Sequence, residues 1–88
     1  MYKNYGPDGR RNLCGMRVSE LRKKIRPVVS QRALADMLQL AGLDVDKNAV
    51  QRIESGKRFV TDIELKALAQ VLGVTVEKLL NDEEKPPA

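Results

Sequence analysis

An all-α fold of five short helices is what this sequence predicts, and three observations predict it. Apolar residues recur at helical spacing through most of the chain, with no run of strand-like alternation. Ser30, Asp46, Thr61 and Thr75 each follow an apolar residue and open a periodic segment, the signature of an N-cap with a hydrophobic staple. Gly42, Gly56 and Gly73 each stand just past such a segment, where a helix end favours a left-handed residue.

The first helix is expected over residues 15–26. Val18, Leu21 and Ile25 fall at i, i+3 and i+7, with Cys14 one turn earlier. Arg17, Arg22, Lys23, Lys24 and Arg26 take the remaining positions, which puts them in solvent. Pro27 ends the helix, because its ring lacks an amide donor and restricts the residue before it. The other four helices are expected at 30–41, 46–55, 61–72 and 75–80. Their staples pair Val29 with Leu34, Val45 with Val50, Val60 with Leu65, and Val74 with Leu79. Thr61 has Glu64 three residues on and so forms a full capping box. Leu34, Ala35, Leu38, Val50, Ile53, Ile63, Leu65, Leu68, Ala69, Leu72, Val76 and Leu79 are the expected inward positions. None of these helices is long enough to stand alone, so packing of the apolar faces must hold them.

Eighty-eight residues provide for one domain, and 42% hydrophobic with 32% charged residues is a globular composition. Tyr2, Tyr5 and Phe59 are the whole aromatic content, so the core is aliphatic. No apolar run is long enough to span a bilayer and the first residues hold no apolar signal region, so a cytoplasmic protein without membrane contact is expected. A lone cysteine, Cys14, with no histidine leaves no internal disulfide, no zinc ligand set and no usual general base. With no nucleophile–base pair and no phosphate-cradling glycine loop either, the sequence predicts no enzyme, no catalytic residue, no metal and no cofactor.

Charge divides along the chain. Residues 1–58 carry 13 basic and 6 acidic side chains, net +7, whereas residues 59–88 carry 3 and 6, net −3. Such asymmetry suggests a polyanion on one side. The expected organisation is a flexible basic arm over 1–14, which includes Arg10 and Arg11, a helical domain over 15–80, and an acidic tail over 81–88.

The helices at 30–41 and 46–55 are joined by a short connection, and the second is brief and polar on its outer side. With Val50 and Ile53 inward, Lys47, Asn48, Gln51, Arg52 and Ser55 face out. A helix-turn-helix requires this arrangement, with one helix bracing and the other laying its N-terminal end in the DNA major groove. Lys and Arg donate to guanine O6 and N7, and Asn and Gln pair with adenine N6 and N7. The positive end of the helix dipole favours a nearby phosphate.

The sequence resembles the lambda-repressor-like helix-turn-helix domains, the Cro/cI or XRE family. The resemblance rests on Leu21-Arg22, Ser30-Gln31, Leu34-Ala35, Ile53-Glu54-Ser55-Gly56-Lys57-Arg58 and Leu72-Gly73-Val74-Thr75, and covers residues 16–80. One departure is a longer stretch, Met37 to Val45, between the helix-2 Leu-Ala and the next helix. The resemblance implies that Lys47, Asn48 and Arg52 reach base edges, with Gln51 and Ser55 alongside. It implies phosphate contacts for Gln31, Lys57 and Arg58, and a scaffold role for Glu54. The implied function is a sequence-specific regulator of transcription on double-stranded DNA, a homodimeric repressor on a palindromic site. Leu79 and Leu80, adjacent and unable both to point inward, mark the last helix and tail as the expected dimer face. The alternative is a protein-interaction module or antitoxin-type partner on the same scaffold.

Overall fold

A computed structural model describes residues 9–80, so the acidic tail at 81–88 and positions 1–8 of the expected arm lie outside the described residues. Five helices follow in order: α1 Gly15–Lys24, α2 Gln31–Leu40, α3 Lys47–Glu54, α4 Asp62–Leu72 and α5 Val76–Leu80. There is no strand among the described residues.

Local chemistry sets the boundaries. Ser30 Oγ accepts from the Ala33 amide at 3.0 Å, and Asp46 Oδ1 accepts from Ala49 at 2.8 Å. Thr61 and Glu64 close a reciprocal capping box, and Thr75 Oγ1 accepts from Lys78 at 3.1 Å. All four caps stand where the sequence places them. Gly73 ends α4 in the left-handed region at φ +72°.

Leu34, Leu38, Val18, Val50, Ile53, Leu68 and Leu79 form the fully buried centre. α2 packs most extensively on α3, and α1 lies against both α3 and α4. α5 closes the side formed by α1 and α4 through Leu79. Its neighbour Leu80 is exposed, as their adjacency requires.

Three expectations need correction. Ile63 is 72% exposed, not inward. It lies two residues from Leu65, about 200° around the helix from the Leu65–Leu68–Leu72 stripe. Arg17 and Arg22 are buried rather than solvated, and Arg22 is drawn inside by an acidic partner described below. Residues 9–14 are not a loose arm either. Asn12 Oδ1 accepts from the Gly15 amide at 2.7 Å and starts α1, while Cys14 sits in the core at 1% exposure.

Burial raises the Cys14 thiol from its ordinary 9.0 to about 11. The native chain should therefore resist alkylation at pH 8 and be labelled only on unfolding; rapid labelling of the folded protein would contradict this burial. Because the unfolded thiol ionises first, Cys14 subtracts stability as pH rises from about 9 to about 11. Denaturation of Cys14→Ala across that range should show a shallower decline. Thr61→Ala should remove the α4 cap at a cost of about 1 kcal/mol, read as a lower melting temperature with no change in any ligand preference.

Candidate nucleic-acid interface

α3 is one face core and one face solvent. Val50, Ile53 and Glu54 fall at i, i+3 and i+4 and form its inner stripe. Lys47, Asn48, Gln51 and Arg52 occupy the outer sector, and all four are exposed. Their side chains have no hydrogen-bond or ion-pair partner among the described residues. Two cationic and two amide side chains thus share one open surface with no internal bonds to break.

Glu54 belongs to the same helix and points the other way. Arg22 Nε donates to its Oε2 at 2.7 Å, and Arg22 Nη2 donates to Oε1 at 3.0 Å. The third arm of that guanidinium, Nη1, donates to the Val29 carbonyl at 2.9 Å. Side-chain exposure is 9% for Arg22 and 6% for Glu54, so the pair is dry. Gln31 Nε2 adds a donor to Glu54 Oε1 at 2.9 Å. The scaffold role expected of Glu54 has a physical basis here. For Gln31, one amide hydrogen is spent on this carboxylate, which leaves the second for any phosphate.

The remaining expected residues divide. Ser55 is the C-cap of α3, and its hydroxyl donates to the Arg52 carbonyl at 3.3 Å. It lies at the far end of the helix, about 12 Å along the axis from Lys47 at 1.5 Å per residue. Lys57 is exposed beside it. Arg58, expected on phosphate, is half-buried and paired with Glu64, with Nη1 to Oε1 at 3.3 Å and Nη2 to Oε2 at 3.1 Å. Glu64 lies there because it closes the α4 capping box, and the same carboxylate accepts from Arg58.

The residues that sequence reasoning missed precede α1. Arg10 Nη2 donates to the Glu54 carbonyl at 2.8 Å, and Asn12 Nδ2 donates to the carbonyls of Ile53 at 3.0 Å and Arg58 at 2.7 Å. The Arg11 amide donates to the Gly56 carbonyl at 2.8 Å. Residues 10–12 therefore cap the C-terminal end of α3, satisfying carbonyls that the helix leaves open. Two glycines make the approach feasible. A Cβ on Gly15 would collide with the Ile53 carbonyl oxygen, and one on Gly56, already at φ +81°, would lie 2.7 Å from Arg10 Cζ. The sequence signal for this strap is only two arginines and an asparagine in a stretch without periodicity.

Between the strap and the end of α3 lies an open polar recess of about 450 Å³, lined by Gly9, Arg10, Arg11, Arg52, Ser55, Gly56 and Lys57. Arg11 also lies over the Phe59 ring, 5.5 Å from its centroid. Among the described residues no helix is long and apolar enough to cross a membrane, and no group of His, Cys, Asp and Glu could hold a metal ion.

The helix-turn-helix family matches residues 29–79, from the residue before the α2 cap into α5. A control protein of Mycoplasma sp, C.MunI, is 34% identical over 71 residues, which cover 81% of this chain and 88% of that protein. No solved structure matches the chain.

Glu54→Ala would leave Arg22 buried without its counter-charge. Loss of one partner from such a pair costs about 3–5 kcal/mol. The urea midpoint should fall accordingly; a midpoint within experimental error of the wild type would show that the pair contributes no more than a surface contact.

Proposed function

The chain belongs to the lambda-repressor-like (XRE) branch of the helix-turn-helix family and is a non-enzymatic DNA-binding regulator of transcription; from that premise we propose that α3 reads the major groove of an operator as part of a cytoplasmic homodimeric repressor. The observation that carries this reading is the α3 face itself. Lys47, Asn48, Gln51 and Arg52 stand exposed on one side of a helix whose carboxylate, Glu54, is turned inward and paired.

Each group suits a base edge. Lys47 and Arg52 donate to guanine O6 and N7, Arg52 in bidentate fashion, and Asn48 and Gln51 pair with adenine N6 and N7. Lys47 and Asn48 lie in the first turn, the end that enters the groove in helix-turn-helix docking. Ser55 and Lys57, a helix length away, sit where the duplex backbone would pass. Gln31 at the start of α2 offers its second amide hydrogen to a phosphate on the other side.

Dimerisation follows from area. One small module buries only about 600–1,000 Å² on DNA, so two copies on half-sites about 34 Å apart supply the missing affinity and specificity. The exposed Leu80 in α5 offers an apolar position for that contact. Occupancy of an operator by such a dimer excludes other proteins from the same stretch of duplex, the simplest route to repression. The similar Mycoplasma chain bears the name of a control protein, which agrees with a regulatory task.

Selection of bound duplexes from a random pool should yield a two-fold symmetric consensus. Arg52→Ala or Asn48→Ala should then cost about 1–3 kcal/mol and relax one position of each half-site, whereas Lys57→Ala should weaken all duplexes alike. Retention of the full consensus and affinity by both α3 variants would remove this helix from the interface. Sedimentation of the free and DNA-bound protein checks the dimer; one copy bound per symmetric site would refute it.

A further inference from the structure

We infer that Asn12 and Arg10, in the strap before α1, are positioning residues for sequence recognition: they hold the last turn of α3 and so set how sharply Arg52 distinguishes its base pair. This rests on the α3 reading above and extends it to residues outside the stretch that the family matches, which begins at residue 29.

The bonds of Asn12 carry the argument. Its Oδ1 accepts from the Gly15 amide at 2.7 Å, while its Nδ2 donates to the Ile53 carbonyl at 3.0 Å and to the Arg58 carbonyl at 2.7 Å. A backbone amide only donates and a carbonyl only accepts, so these partners fix one orientation of the side chain and use both its amide hydrogens. One residue thus ties the start of α1 to the end of α3 and to the turn that follows. Arg10 Nη2 donates to the next carbonyl of α3, that of Glu54, at 2.8 Å. Gly15 permits the approach, since a Cβ there would collide with the Ile53 carbonyl oxygen, Asn12 Oδ1 and the Arg10 guanidinium.

The place of these bonds gives them a consequence for reading. The Arg22 pair holds α3 by a side chain, whereas the strap holds its backbone, at the two carbonyls immediately after Arg52. The opposite end is held by the Asp46 cap, about 9 Å from Arg52 at 1.5 Å per residue. Loosening the last turn therefore pivots α3 about its N-terminal end, which moves Arg52 most and Lys47 least. A recognition contact needs its groups placed within about 0.5 Å, so such a movement blunts the bidentate contact of Arg52 before it reaches Lys47 and Asn48.

The test uses the full chain on its selected operator and on duplexes changed at single base pairs, with Arg52→Ala marking the pair that Arg52 reads. Asn12→Asp keeps the acceptor for Gly15, loses both donors and sets a carboxylate against two carbonyls. Its preference for the correct base at the Arg52 position should fall about tenfold, within the range one bidentate pair supplies. Preferences at the positions read by Lys47 and Asn48 should stay within about twofold of wild type. Each preference is a ratio of affinities for one variant, so a smaller folded fraction or an altered net charge cancels from it. Arg10→Met should blunt the same position to a smaller degree, and Arg10→Lys, which keeps a donor for the Glu54 carbonyl, should restore it. Uniform weakening with every ratio unchanged assigns these residues to stability alone and overturns the positioning role. So does blunting spread evenly over the half-site. Should Asn12→Asp not fold, the Arg10 pair decides by the same ratios. Full wild-type preference in Arg52→Ala refutes the α3 reading itself; blunting by Arg52→Ala with none in the strap variants refutes only the role of the strap.

Discussion

Burial of the Glu54 carboxylate against Arg22 constrains the molecule more than any other contact. Two ions removed from water cost several kcal/mol each, and attraction offsets that only when the remaining donors and acceptors are also satisfied. Here they are. Both carboxylate oxygens take an arginine donor, Gln31 adds another, and the spare arm of Arg22 reaches the Val29 carbonyl. The group joins α1, the link before α2, the first residue of α2 and the last residue of α3. Apolar packing between Val50, Ile53, Leu34 and Leu38 brings the same elements together, but such contacts tolerate sliding and rotation. A set of directed bonds at 2.7–3.0 Å does not. It fixes which side of α3 is outside, and it removes from the outer side the one negative charge within the helix.

α3 is held at both ends as well as along its inner stripe. Eight residues would not be helical alone. At the N-terminal end Asp46 caps the first turn, Val45 is buried beneath it, and Gln39 Nε2 holds the Val45 carbonyl at 2.7 Å. At the other end Arg10 and Asn12 take the open carbonyls. The two ends differ in charge. The Asp46 carboxylate offsets the positive pole of the helix dipole, which reduces the attraction for phosphate anticipated there from the sequence. The cationic side chains exposed near the two ends are Lys47 at the first turn and Arg52 and Lys57 at the last.

The helices were legible because their punctuation is local. An N-cap bonds to an amide three residues on, and a staple reaches one turn, so Ser30, Asp46, Thr61 and Thr75 carry their whole instruction within a short window. The faces of α3 were legible for a similar reason, since Val50 and Ile53 define the buried stripe and Glu54 falls on it. What escaped depends on partners far away in sequence. Arg22 looks like any exposed arginine of α1 until Glu54, 32 residues on, is brought to it. Asn12 meets carbonyls 41 and 46 residues away. Arg58 pairs with Glu64 only six residues on, but through a carboxylate whose place is set by the α4 capping box. Ile63 is apolar but falls outside the register set by Leu65, Leu68 and Leu72, and it is exposed.

These constraints also explain how the chain accommodates its longer connection between α2 and α3. Residues 41–46 separate the two helices, more than the three or four residues usual in a helix-turn-helix. A longer link would free the second helix to tilt if the link alone oriented it. Here the link does not orient it: α3 is set by the buried ion pair at one end of its inner stripe, by Val50 and Ile53 along it, and by the strap beyond. Gln39 and Val45 tie down the link just before α3, so the added residues become exposed surface at Ala41, Gly42 and Asp44 without displacing the outer face. A helix ordered before it meets a partner loses little further backbone freedom on binding, and so, on the reading proposed above, more of its contact energy is available for distinguishing one base pair from another.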